Sequence, residues 1–450
     1  MDTGLTKTSF GPRQKIAVVG AGISGLSAAW LLSKNADVVL YEAEGRPGGH
    51  SNTVIVDDGA GPVPVDTGFI VYNDRNYPNL VQLFDHLGVP TLASNMSFAA
   101  SLDAGRFEYS GSGVSGLLGQ KSNVLRPRFW RMLRDILRFY KEAPGLLARP
   151  EYDGMSLGTY LEREGYGRSF VEDHLLPMGA AIWSTTAQEM RLYPIHAFVR
   201  FFVNHGLLSL KDRPQWRTVA GGSREYVSRI LAEFSGQLRL QTPVVSIRRD
   251  PGGVEILDAA GHSERFDHVV LGTHAPQSLD MLKDADRQEE ALLGAFQYTQ
   301  NSAVLHCDEA LMPRRRAVWS SWNYVANADP ARTLCVTYWM NQLQSLKSDR
   351  QIFVTLNPCR DVDPEKHYAT FQYEHPLFNT SAMAAQKKIW ALQGKRRTWF
   401  CGAYFGSGFH EDGLQSGLAV AEALGGIKRP WTVENESGRI FVAATLEAAE

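Results

Sequence analysis

Cysteine is scarce in this chain. Of its 450 residues only four are cysteines, Cys307, Cys335, Cys359 and Cys401, far apart and without a C-x-x-C pair. That excludes a disulfide framework and a zinc site of common spacing, so no metal is expected and the thiols read as buried and reduced, in a cytoplasmic protein. No run of about 18 apolar residues occurs, so no helix is expected to span a bilayer. Neither sign of charge dominates: 46 Lys and Arg stand against 48 Asp and Glu, which argues against a general nucleic-acid binder. The first residues lack an apolar core and do not read as a secretory signal. Residues 1–13 and 429–450 are expected to be terminal tails. Internal repeats and low-complexity linkers are absent as well, while the length suffices for two or three domains.

The most informative stretch is Lys15 to His50, KIAVVGAGISGLSAAWLLSKNADVVLYEAEGRPGGH. An apolar run of strand length, Ile16 to Val19, is followed by Gly20, Gly22 and Gly25 in G-x-G-x-x-G spacing, with Ser24 inside it. A helical pattern follows, then a second apolar run, Val38 to Tyr41, that ends in Glu42. This is the order of a dinucleotide-binding unit. Gly20 permits the turn, Gly22 lets backbone approach a pyrophosphate, and Gly25 lets the helix pack on the sheet. The helix N-terminus offers unpaired N–H groups and partial positive charge to phosphate. Glu42 can accept both ribose hydroxyls of an adenosine.

Just beyond lie Arg46, Gly48, Gly49 and His50. A simple NAD site has no need of this second glycine pair. An FAD site does, because the chain must pass close to the diphosphate and run on toward the flavin. The stretch resembles the flavin-containing amine oxidase and phytoene desaturase superfamily, whose pattern is E-A-x-x-R-x-G-G-R, and Asp66-Thr67-Gly68 resembles its next segment, which brings Gly68 to the cofactor. His50 stands where amine oxidases usually have arginine.

Farther along, Thr53 to Val56 and Val63 to Val65 alternate as a hairpin, and Tyr77 to Leu87 reads as a helix stopped by Gly88. The spacing predicts strands over 91–109. Residues 126–141 (RPRFWRMLRDILRFYK) form the most amphipathic stretch. Phe129, Trp130, Leu133, Ile136, Leu137 and Tyr140 are expected on one face and the arginines mostly on the other. The favoured reading is a surface helix whose apolar face joins the core; the other is a peripheral contact with an anionic membrane, at its inner face. The segments 174–183 and 195–208 are apolar and aromatic enough for a helical part, at about 120–210, that could enclose an apolar tunnel; Trp183, His205 and Trp216 are candidates for its lining, with ordinary core packing the favoured role for each one alone.

At Val219 the chain returns to its first domain through Ala220-Gly221-Gly222-Ser223, a helix over 224–234 and a strand over 238–247. In the superfamily that strand gives backbone to adenine, and Val244 matches the position. Strands over 301–306, 334–339 and 352–356 are expected to roof the substrate cavity, with Tyr338 or Trp339 facing it. In the amine oxidases a lysine linked through water to flavin N5 stands early in the first of these strands; alignment puts Asn301 there. The last motif, WFCGAYFGSGFHEDGLQSGLAVAEALGG, closely resembles the superfamily's C-terminal flavin segment. Gly402 ends a strand, Asp412 suits an N-cap, and Gly413 and Leu414 open a helix aimed at the flavin N1–C2=O edge. Cys401 beside Gly402 reads as a close backbone contact, so the FAD is expected to be non-covalent. His410 takes the place of a tyrosine of the amine oxidase cage. An imidazole with pKa near 6.5 can exchange a proton at neutral pH, so His410 is the first candidate catalytic residue, with Glu411 to orient it and His50 beside them.

Most of 15–427 resembles one narrower family through AAIWSTT, FFVNHGLL, RPQWRTVAGGSREYV, TYWMNQLQSL, FVTLNP and GFHEDGLQSG. These segments are similar to bacterial FAD-binding proteins found beside cyclopropane-fatty-acid-synthase-like methyltransferases, to a region fused in front of plant cyclopropane synthases, and to a flavoprotein of furan fatty acid formation. The resemblance implies an oxidoreductase that oxidises or desaturates a methylated or cyclopropane acyl chain, with a methyltransferase as partner. An amine oxidase and a non-catalytic flavoprotein partner are the alternatives. The expected fold is α/β: a Rossmann-type FAD-binding domain of the amine oxidase fold (14–75, 219–275, 396–428), interleaved with a mixed sheet-plus-helix substrate domain (76–218, 276–395).

Overall fold

The computed structural model describes residues 13–59, 61–209, 213–326 and 335–442. The chain divides into two compact units, with crossings after Gly49, Tyr226, Gly294 and Ala384. Each begins and ends apart from the expected boundaries; the first crossing falls at 49 rather than 75.

The first unit is built on a five-stranded parallel sheet in the order Gln237–Arg239, Asp37–Tyr41, Lys15–Val19, His268–Leu271, Thr398–Phe400. Its three central strands are apolar runs because both faces are covered. The helix Ile23–Leu32 is buried along its whole length, which its composition of Gly, Ser, Ala and Leu allows. Against it lies the last long helix, His410–Gly425. The two approach so closely that a Cβ on Gly417 would sit 2.2 Å from the Ser24 carbonyl oxygen. A small antiparallel sheet of Val244–Asp250, Gly253–Asp258 and Ser263–Phe266 completes the unit.

Two expectations fail here. The strand predicted over 238–247 is two strands in different sheets. The chain turns between them at Gln241, which takes φ of 51°. Residues 429–442 are no loose tail: Trp431 stacks on Trp30 at 6.0 Å, and the buried Arg429 pairs with Glu422 at 2.8 Å. The segments 1–12 and 443–450 of the expected tails, and Leu334 of the expected strand over 334–339, lie outside the described residues.

The second unit carries a seven-stranded mixed sheet, ordered His367–Leu377, Gln297–His306, Phe353–Leu356, Val336–Trp339, Trp322–Val325, Phe98–Leu102, Phe107–Ser110. All neighbours are antiparallel except Trp322–Val325 and Phe98–Leu102. Helices fill 113–204, among them Pro127–Glu142, Leu176–Trp183 and Ile195–Asn204. The basic helix Pro127–Glu142 buries Phe129, Met132, Ile136 and Phe139, but Trp130 and Leu137 lie on its exposed side, against expectation. The sequence reading centred the apolar face too far round, because it grouped residues by type where burial follows i, i+3, i+7, i+10. Three of the cysteines are buried; Cys307 is half-exposed. Cys335 and Cys359, 24 residues apart, meet: the Cys359 N–H donates to Cys335 Sγ at 3.3 Å.

The helix crossing at Gly417 yields a test. Gly417→Ala forces a methyl into the Ser24 backbone and costs about 1–3 kcal/mol of overpacking. The thermal midpoint of the holoprotein is expected to fall by several degrees. Gly45→Ala, whose methyl meets nothing closer than 3.8 Å, leaves the midpoint unchanged.

Candidate active site

In the first unit the Gly20 N–H donates to Tyr41 O at 2.8 Å and fixes the turn between the two central strands. A Cβ on Gly25 would lie 1.9 Å from Gly20 O, so only glycine lets the helix start there. Ser24 is buried at the same crossing, its hydroxyl 3.4 Å from Gly272 O. Beside Gly22 there is open space: a Cβ would meet nothing within 4 Å. The helix that Gly22 caps has no side-chain cap and no acid in its first turn, so its unsatisfied N–H groups form a site for an anion. Gly48 pairs with Gly22, its N–H on Ala21 O at 2.8 Å, and Gly49 follows with Cα of Gly22 beneath it. Arg46 donates to Gly49 O at 2.8 Å. Glu42 accepts from Ala21 N–H at 2.7 Å and Glu44 N–H at 2.9 Å, which sets its carboxylate beside the glycine turn. Val244 opens its strand, half-buried. This open, N–H-rich cradle closed by one carboxylate fits the diphosphate and ribose of FAD.

At the other end of this unit, Gln386 donates to Tyr404 O and Gly406 O and pins the loop after Gly402, whose own N–H bonds Ser416 Oγ at 2.9 Å. The helix begins at His410 with Phe409 as N-cap; Asp412 is therefore its third residue and not the cap. It still serves the helix start, because Oδ2 accepts the Phe409 N–H at 2.8 Å while Oδ1 meets Arg439 at 2.6 Å. Gly413 and Leu414 follow, buried against the first helix, with Ile23 against Gly413. Glu411 is fully buried and accepts from Gln415 at 2.9 Å. Successive helical residues diverge by about 100°, and this bond runs from Glu411 to the next turn of the helix. The His410 ring keeps some accessible surface but sits deep in the fold, and desolvation pushes its pKa down to about 3. The expected value near 6.5 is corrected: the imidazole is neutral at working pH.

The second unit holds a separate polar cluster. Gly68 passes so near His50 that a Cβ would meet its carbonyl oxygen at 2.3 Å. The His50 ring stacks on Tyr373 at 5.0 Å and lies 5.5 Å from His375. The Tyr373 hydroxyl meets Thr67 Oγ1 at 2.8 Å and accepts from Asn52 at 3.1 Å. Asn301 donates from Nδ2 to His375 Nδ1 at 3.0 Å and accepts from Asn357 at 2.7 Å, which leaves the His375 proton on Nε2. Asp66, fully buried, takes donors from Ser223, Thr53 and Gln344, yet burial raises its pKa to about 6. The sequence reading missed His375 and Tyr373. Their signal was the alternation of 373–375 on a strand, which puts both on one face.

Of the five expected pocket residues, one lines the cavity described in this unit. That cavity, ≈ 260 Å³, is walled by Trp183, Met190, Leu192, Tyr193, Leu377 and Phe378, with Gln297 at the register partner of Leu377. Its one carboxylate, Glu189, is tied into a capping box by Thr185 and Thr186. Burial raises the Glu189 pKa, and those bonds outweigh it and hold it below the usual range. Trp183, Phe201, His205 and Trp216 form one aromatic row with spacings of 4.6, 3.8 and 6.2 Å. Tyr338 packs edge-on against Trp322 within the sheet. Asn301 belongs to the polar cluster, four residues or about 13 Å along the same strand pair from Gln297.

A glycine cradle for FAD in one unit and a mixed-sheet unit with its own chamber define a flavin-dependent oxidoreductase. The chain belongs to the flavin containing amine oxidoreductase family, whose model matches residues 23–425. Solved structures similar to it include wild-type putrescine oxidase bound to putrescine (16% identity, TM-score 0.65, 92% of this chain and 99% of that one). A CLA-producing fatty acid isomerase from P. acnes is similar at 16% identity and TM-score 0.64, over 92% of this chain and 99% of that one. Cyclohexylamine oxidase from Brevibacterium oxydans IH-35A matches with the same identity and TM-score, over 92% and 100%. At such identities the likeness carries the fold alone. No curated protein matches the chain.

Two further imidazoles are buried and neutral. His306 accepts the Asp308 N–H at Nδ1 and donates from Nε2 to Thr355, and His174 bonds Tyr109; desolvation lowers both to about 4. In the unfolded chain they protonate near 6.5. Between those values the unfolded state binds more protons, so stability falls as pH drops, by about 2 kcal/mol per ring at pH 5. Asp66 pulls the other way, since the fold holds its proton more tightly. Denaturant unfolding at pH 7 and pH 5 is therefore expected to show a smaller acid loss in His306→Gln than in the parent; equal losses would contradict the neutral assignment.

Proposed function

We propose that this FAD-dependent oxidoreductase oxidises or desaturates a fatty acyl chain, methylated or carrying a cyclopropane ring. The observation that carries the reading is the cavity wall of Trp183, Met190, Leu192, Tyr193 and Phe378. An alkyl chain gains from such a wall, whose one charge is Glu189, drawn through Oε2 into the cap of its own helix by Thr185 and Thr186. Bound FAD supplies hydride acceptance at N5. The chain's residues supply binding and proton handling. His410 enters the reaction neutral and is the group proposed to take the proton that leaves the acyl chain. Asn301 and His375 hold a fixed, uncharged hydrogen-bonded pair where alignment with the amine oxidases places a lysine. A lipid methyltransferase is the partner this substrate implies.

The amine oxidase reading rests on the putrescine and cyclohexylamine oxidases among the similar structures. Asn301 and His410, at the positions where the amine oxidase resemblance implies a lysine and a cage tyrosine, weigh against it. An anaerobic absorbance titration separates the readings. Phospholipids with methylated or cyclopropane acyl chains are expected to bleach the flavin band at about 450 nm, and polyamines to leave it. Bleaching by polyamine alone would return the protein to amine oxidation, and no bleaching by either would favour a non-catalytic partner role. His410→Ala should bind FAD and slow bleaching by about 10²–10⁴-fold; full speed in that variant would remove His410 from the mechanism.

A further inference from the structure

The basic helix Pro127–Glu142 turns one face to the core. Its opposite face is not simply polar. Trp130 and Leu137 stand there, 53% and 57% exposed. Trp130, Arg134, Leu137 and Lys141 recur at i, i+4, i+7 and i+11, and so form one stripe along the helix. The stripe runs on into the segment before it. The Trp130 Nε1–H donates to Val124 O at 2.8 Å, and the neighbouring Leu125 is 86% exposed. Six of the eleven large hydrophobic residues exposed among the described residues fall within 114–137. Surfaces that expose such residues singly need no explanation; a cluster does.

Charge accompanies the cluster. Residues 112–149 contain eight Lys and Arg and two acids, while the rest of the chain has an excess of acids. Of the two acids, one pairs with a cation of the stripe. Asp135 is buried, where it accepts the Gly167 N–H and meets Arg134, and Glu142 pairs with Arg138. Lys121, Arg126, Arg131 and Lys141 have no ion pair with a described residue.

We propose that this face docks the enzyme on an anionic lipid bilayer, with Leu125, Trp130 and Leu137 in the interfacial zone and Arg131, Arg134 and Lys141 on lipid phosphates. Aliphatic side chains interleaved with cations on one stripe call for hydrocarbon and phosphate within a side chain's length of each other. The headgroup boundary of a bilayer has that layering, and nucleic acid offers phosphate without it. The aliphatic stems of the arginines extend the apolar surface while their heads reach the phosphates. The proposal goes beyond the acyl-chain reading and does not depend on it, because docking is measured without turnover.

The test is flotation of the full-chain flavoprotein with two vesicle types, phosphatidylcholine alone and phosphatidylcholine mixed with phosphatidylglycerol. The protein is expected to float with the anionic vesicles and to be released by salt. Arg131→Gln/Arg134→Gln should weaken this binding roughly thirtyfold, about fivefold per charge. Trp130→Ser/Leu137→Ser should abolish it while flavin content and thermal midpoint stay at the parent's values. Ile55→Ser, an exposed apolar residue elsewhere, should float as the parent does. Equal binding to both vesicle types, no binding to either, or unchanged binding by the two double variants would each overturn the proposal.

Discussion

Everything in the cofactor-binding unit depends on how closely one short helix lies to its neighbours. Ile23–Leu32 starts where the Gly20 turn leaves no room for a side chain on Gly25, and it is crossed by the last helix at a distance that leaves none on Gly417. Because backbone meets backbone there, the helix N-terminus stays uncapped and open on the side of Gly22. An uncapped N-terminus is costly unless an anion satisfies it, so the packing that builds the sheet-helix sandwich also builds the diphosphate site. The same crossing fixes the start of His410–Gly425, and so the position of His410 at its first turn.

A second constraint concerns charge. Residues placed to do chemistry are held neutral or are already committed. His410 is desolvated, His375 and Asn301 share a hydrogen bond between uncharged groups, and Glu189 is spent on a helix cap. In the second unit the cavity wall is mostly apolar, and its one carboxylate, Glu189, is held in the cap of its own helix.

The glycine fingerprint, Glu42 and the C-terminal flavin motif were legible in the sequence because their spacing is dictated by backbone geometry, which leaves a local mark. The amine oxidase fold followed from them. What was not legible depends on distant partners. The break at Gln241 depends on which sheet each half joins. The outward turn of Trp130 and Leu137 depends on which face of the helix meets the core. His375 acquires meaning only when register places its strand beside Asn301. The basicity of His410 could not be read from its type, since desolvation sets it. Trp183, His205 and Trp216 lie in one aromatic row, of which Trp183 reaches the cavity wall, an arrangement that depends on how the elements that carry them pack.

The central claim is that an amine oxidase fold here acts on hydrocarbon. The most direct test is mass spectrometry of lipid recovered after anaerobic incubation with stoichiometric enzyme. The account predicts an acyl chain that has lost two hydrogens, in amounts equal to the flavin reduced. Unchanged lipid, together with an aldehyde and ammonia released from an added amine, would contradict it.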